Sequence, residues 1–175
     1  VAAHTDINDK GQTIYIPKVR TTAIADDTKD HVTEAKKDVT IVDTVSFKSL
    51  EVGREYTVKG VLMDKSTGEE LKVNDESITA EETFTADAAE MTITLTYTLD
   101  ATTLAGTTTV VFENLYSDGA LLVAHADLED DEQTVYIPEI HTTAKDQTTK
   151  INHTEATKNA TIVDTVFYTH LLPGR

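Results

Sequence analysis

Residues 91–99 read MTITLTYTL, with Met91, Ile93, Leu95, Tyr97 and Leu99 on one parity and threonine on the other. Successive side chains of a strand leave opposite faces, so a strict period of two marks a half-buried β-strand. Working outward, residues 54–71 (REYTVKGVLMDKSTGEEL) predict a hairpin turning at Ser66-Thr67-Gly68. Further runs rich in Val, Ile, Tyr and Thr predict strands at 39–47, 78–85, 107–116, 120–127 and 133–138. The polar stretch 25–38 predicts a loop, and no long amphipathic helix is apparent. Many short strands separated by turns imply an all-β protein, an Ig-like β-sandwich of roughly 120 residues.

The chain has 175 residues, 39% of them hydrophobic, enough for a core. A net charge of −16 repels phosphates, so neither nucleic acid nor an anionic membrane is an expected partner. No apolar run is long enough to insert into a bilayer. The absence of cysteine excludes disulfides, thiol catalysis and zinc–thiolate sites. Neither a metal nor a cofactor is expected.

Shifted by 121 residues, the sequence overlays itself, with about half of the overlapping positions identical. His4 falls on His125, Gln12 on Gln133, YIP at 15–17 on 136–138, TTA at 21–23 on 142–144, and TIVDTV at 40–45 on 161–166. A period of this length is a whole domain. The expected organisation is the last strand of one repeat (1–17), a complete repeat (18–138) and the start of another (139–175), a piece of a tandem array. Its boundaries fall at Pro17 and Pro138, where proline ends a ladder.

Alternation also exposes polar residues on apolar faces. Asp43 shares parity with Ile41 and Val45, Glu113 with Val111 and Leu115, and His125 with Leu121 and Val123. Gln133 goes with Val135, and Thr21 with Val19 and Ala23. A buried acid is costly unless paired or protonated, and two acids together titrate as a pair. Each alone could be a hydrogen-bonded strand-end residue; five together suggest a centre.

RTTA (20–23), VDTVSF (42–47), the hairpin, ITAEETFTA (78–86), VVFENL (110–115) and VAHADLEDDEQTVYIP (123–138), in this order, resemble the VaFE repeats of Gram-positive surface adhesins, also called Thr–Gln ester-bond domains. The resemblance implies an autocatalytic ester between Thr21 and Gln133, assisted by Asp43, Glu113 and His125. Thr22 is the competing nucleophile, and parity favours Thr21. His4 and Gln12, and Thr142 and Asp164, would be partial sites of neighbouring repeats. A threonine hydroxyl needs a base, which histidine can supply. A carboxamide needs a donor on its oxygen, which an acid pair sharing one proton can supply. Asp127, Asp130 and Asp131 read as solvated turn acids. Calcium there is an alternative, though the spacing fits no established loop.

The implied role is a stalk module of an extracellular, cell-wall-anchored adhesin. Its partners would be adjacent repeats, with a host ligand bound by a distal tip domain outside this chain. The main alternative is an Ig-like binding module without a cross-link. A hydrolase built on Thr, His and Asp fits poorly with tandem repetition. A Lys–Asn isopeptide domain lacks a suitably placed Asn in the repeat, since Asn74 and Asn114 are not set beside such a lysine and acid.

Overall fold

The computed structural model describes residues 3–174; Val1, Ala2 and Arg175, the outermost positions of the two flanking segments, lie outside the described residues. Strand β1 is Lys18–Ala25, β2 Val39–Lys48 and β3 Glu55–Asp64. Three two-residue strands follow, β4 (Glu69–Glu70), β5 (Lys72–Val73) and β6 (Glu76–Ser77). Then come β7 (Thr79–Thr85), β8 (Met91–Leu99), β9 (Thr107–Ser117), β10 (Ala120–His125) and β11 (Thr134–Ile137). Strands β12 (Glu139–Asp146) and β13 (Ile162–Thr169) form a separate hairpin. Two 3₁₀ turns, Lys10–Gln12 and Asp131–Gln133, are the only helical elements among the described residues.

One sheet runs β1-β2-β8. In the other, β9 pairs β3 on one side and both β10 and β11 on the other, while β3 carries β7 and β4. The inward parity of each strand builds the core. It comprises Ala23 and Ala25 of β1, Ile41, Val45 and Phe47 of β2, Tyr56, Val58 and Leu62 of β3, Leu95, Tyr97 and Leu99 of β8, and Val111 and Leu115 of β9. Threonine fills the solvent face of β8, as its alternation predicts.

Turn chemistry matches the sequence. Gly68 closes the β3–β4 turn at φ +70, its amide bonded to Asp64 O at 2.8 Å. Asp118 and Gly119 both take positive φ between β9 and β10, the geometry a two-residue hairpin requires. Tyr56 is anchored by the Glu51 N–H, which donates to its hydroxyl at 2.9 Å.

Three features go beyond what alternation along single strands predicts. The stretch 25–38 is a loop, but residues 31–33 also pair with β11. Tyr136 N–H donates to His31 O at 2.8 Å and Thr33 N–H to Tyr136 O at 3.0 Å, a parallel bridge that covers the free edge of β11. Second, β1 and β11 are not neighbours in a sheet. They lie in opposite sheets and meet across the sandwich. Third, a bulge in β10 between Leu121 and Val123 breaks the parity that linked Leu121 to His125: Leu121 points out, and His125 stands opposite Glu113.

The flanking segments repeat local structure of the sandwich. In the β12–β13 hairpin Thr142 faces Val166 and Ala144 faces Asp164, the register of Thr21 with Val45 and Ala23 with Asp43. This hairpin is exposed on both faces, whereas β1–β2 is buried on one.

Truncation should therefore separate core from flank. Leu62→Ala should cost about 2–5 kcal/mol, and Ile140→Ala, at 64% exposure, less than about 0.5 kcal/mol. Urea unfolding of both variants checks this; equal costs would contradict the assigned core.

Candidate functional site

Five polar side chains converge between the sheets where β1 faces β10 and β11. Thr21 stands on the inward face of the edge strand β1, 2% exposed, while Thr22 takes the opposite face and is partly exposed. Asp43 is fully buried on β2, two residue pairs along from Thr21 and on the same face. Glu113, 1% exposed, projects from the central strand β9 of the facing sheet. Gln133 ends the 3₁₀ turn before β11 and is fully buried. His125, partly buried, lies on β10 directly across from Glu113. The bulge produces that register, and bulges commonly re-aim a side chain beside a reactive centre.

The cluster is short of hydrogen bonds. Gln133 Nε2 donates to Asp43 Oδ1 at 3.5 Å, a long bond. Thr21 Oγ1, Asp43 Oδ2, both oxygens of Glu113, Gln133 Oε1 and the Tyr97 hydroxyl are buried without a partner. An unmade bond on a buried polar group costs about 1–3 kcal/mol, so this concentration of orphans in an otherwise satisfied core marks a centre under strain. Asp43 and Glu113 influence each other electrostatically, and Thr21 lies beside Glu113, yet no bond of normal length and angle joins them.

Burial decides their protonation. Desolvation raises Asp43 to about 6, opposed by Glu113, by His125 when its ring is protonated and by the backbone N–H of Thr22. Desolvation and the neighbouring Asp43 push Glu113 much further up. Near neutral pH the pair therefore holds one proton, carried on Glu113, with Asp43 as the ionised partner.

Asp130, which reads in the sequence as a turn acid, also belongs to the centre. Its Oδ2 bonds His125 Nε2 at 2.8 Å, and its Oδ1 accepts from Glu132 N at 2.9 Å, capping the turn that carries Gln133. The signal was present in the sequence: Asp9 stands five residues after His4 as Asp130 does after His125. Asp9 likewise caps its own 3₁₀ turn and bonds His4. Asp127 accepts from Glu129 N at 2.9 Å, so it serves the turn. His31, also unforeseen, bonds Thr134 O through Nδ1 at 3.0 Å and steadies the chain next to Gln133. His4, Gln12, Thr142 and Asp164 are exposed and join no such cluster.

A profile of the T-Q ester bond containing domain matches residues 17–137 and again 138–175. The chain belongs to this family. Membership makes it a module of the ester-cross-linked kind and sets aside the Ig-like module without a cross-link. Two crystal forms of a Mobiluncus mulieris adhesin, described as containing intramolecular disulfide, isopeptide and ester bond cross-links, share its fold. Their TM-score is 0.56 at 15% and 16% identity, covering 87% and 89% of this chain and 76% and 77% of the adhesin. No curated protein matches the sequence.

The raised Glu113 gives a signed pH effect in a Thr21→Ala background, where the hydroxyl is absent. The folded chain keeps a proton on Glu113 that the unfolded chain loses above its ordinary value of 4.5. Stability conferred by that proton is complete below 4.5 and declines as pH rises toward the folded value. Glu113→Gln has no proton to lose. Its stability advantage over the Thr21→Ala parent should widen from pH 5 to pH 9 in urea unfolding; a pH-independent difference would refute a protonated Glu113.

Proposed function

We propose that the side chains of Thr21 and Gln133 react within the folded chain to form an ester and release ammonia. On this reading the protein is a stalk module of a bacterial surface adhesin and not a turnover enzyme. The observation that supports it best is the buried set of nucleophile, carboxamide and acid pair, in which Thr21 Oγ1, Gln133 Oε1 and both oxygens of Glu113 have no partner.

His125 is the base. Its Nε2–H donates to Asp130, which leaves Nδ1 unprotonated to take the Thr21 proton. Thr21 Oγ1 attacks Gln133 Cδ. Negative charge develops on Gln133 Oε1, where protonated Glu113 is the donor at hand. Asp43 accepts from Gln133 Nε2 and holds the nitrogen that will leave. The Cδ–Nε2 bond then breaks, the proton taken from Thr21 passes from His125 to the nitrogen, and one ammonia departs for each ester formed. Burial excludes the water that would hydrolyse the product.

The ester closes nearly the whole repeat into a loop, for which the chain-entropy argument for disulfides gives about 4–5 kcal/mol. Thr21 is four residues beyond Pro17 and Gln133 five before Pro138. Tension applied at the two ends is carried by the ester and a few flanking residues rather than by the sheets. The identical registers of β1–β2 and β12–β13, and the two matching His–Asp turns, support the division at 17/18 and 138/139 and a tandem array. Adjacent repeats are then the immediate partners, a tip domain outside this chain engages the host ligand, and the location is a cell-wall-anchored surface.

The intact mass of the denatured chain should be one ammonia below its sequence mass, and Thr21→Ala and Gln133→Ala should each restore the full mass. A fully matured parent at its sequence mass would end the proposal. His125→Ala should slow bond formation about 10²–10⁴-fold, the usual contribution of a positioned base.

A further inference from the structure

Tyr97 reads in the sequence as one more core residue of β8, yet its hydroxyl is buried without a partner. Buried tyrosine hydroxyls ordinarily find one, as Tyr56 does with the Glu51 amide. The register explains where the Tyr97 hydroxyl has been sent. Gly60 on β3 pairs directly with Glu113 on β9, and direct partners carry their Cβ atoms on one face about 5 Å apart. A Cβ on Gly60 would overlap the Tyr97 hydroxyl. The hydroxyl therefore occupies the position of a residue-60 side chain, beside Glu113. On its own sheet Tyr97 pairs with Ile41 and Leu95 with Asp43, which makes Tyr97 the diagonal neighbour of Asp43, within reach of an aromatic side chain.

We propose that Tyr97 is a positioning residue of the cross-linking reaction, its O–H donating to the Asp43–Glu113 pair from between the sheets so that Asp43 stays ionised and Glu113 keeps the proton offered to Gln133. The inference rests on the ester reading above. Glycine at 60 is the cost of admitting the phenol, since any larger residue would expel it. The charged and titratable groups around the pair are Asp43 on β2, Glu113 on β9, His125 on β10 and Asp130 before β11; β1 contributes only the neutral Thr21 and β3 only Gly60. The phenol is itself held in its protonated form, by burial first and then by the neighbouring carboxyl groups of Asp43 and Glu113, so it can only donate to a carboxylate.

Tyr97→Phe keeps the ring and removes the donor. Chain recovered unfolded in urea before reacting is refolded by dilution from pH 5 to pH 9, and ammonia loss is followed by intact mass. A donor to a carboxylate favours its ionised form, so its removal should slow the reaction at least tenfold at pH 6 and move the acid limb of the rate profile to higher pH. A merely structural hydroxyl would move neither once the variant is folded. A folded Tyr97→Phe with the parent's rate and acid limb overturns the proposal. Should Tyr97→Phe not fold, 3-fluorotyrosine replacing all six tyrosines retains packing and strengthens the donor. The acid limb should then move to lower pH, and an unmoved limb overturns the proposal. A parent that loses no ammonia refutes the ester reading, whereas a reacting parent with an indifferent Tyr97→Phe refutes only the role of Tyr97.

Discussion

Two carboxyl groups face each other from opposite sheets in the dry interior of a sandwich, and most of the site is arranged around that fact. Asp43 and Glu113 cannot both ionise where no water reaches them. One proton must stay, and the neighbours decide where: His125 and the Thr22 backbone favour an ionised Asp43, which in turn raises Glu113. What would be a liability in a structural core becomes a fixed hydrogen-bond donor beside a carboxamide, present before any charge develops and needing no rearrangement when it does.

The strands deliver the other groups according to their place in the sheets. Thr21 comes from the edge strand β1, and Gln133 from the turn leading into the opposite edge, so the two side chains proposed to react meet where the two sheets come together rather than within one ladder. The β10 bulge turns His125 inward, and the cap on the 3₁₀ turn ties the orientation of His125 to that of Gln133 through a single aspartate. The pairing of residues 31–33 with β11 seals the seam from outside.

Much of this was legible in the sequence because period-two alternation reports parity directly. The strands, the inward positions of Thr21, Asp43, Glu113 and Gln133, and the turn at Gly68 all follow from spacing and residue type. What escaped has a common cause: alternation describes one strand at a time. The bulge is a single extra residue inside the apolar run Leu121-Leu122-Val123, and nothing in that run distinguishes it. Asp130 looked solvated because its neighbours are, although its alignment with Asp9 was a usable clue. The assignment of β1 and β11 to opposite sheets, and the meeting of Tyr97 with the space above Gly60, are cross-strand facts that no single segment contains.

The His–Asp–Gln turn is built entirely from residues 125–133, and the last of these reach the interior only when β11 docks. A ribosome delivers this stretch after every other strand of the sandwich. On the proposed reaction, the carboxamide arrives together with its own base, and the threonine on β1 has no electrophile until the fold is otherwise complete. Covalent closure then serves as an inspection stamp on biosynthesis: a repeat with a misplaced strand stays open and remains open to unfolding, while a correctly assembled one is sealed after its last strand docks.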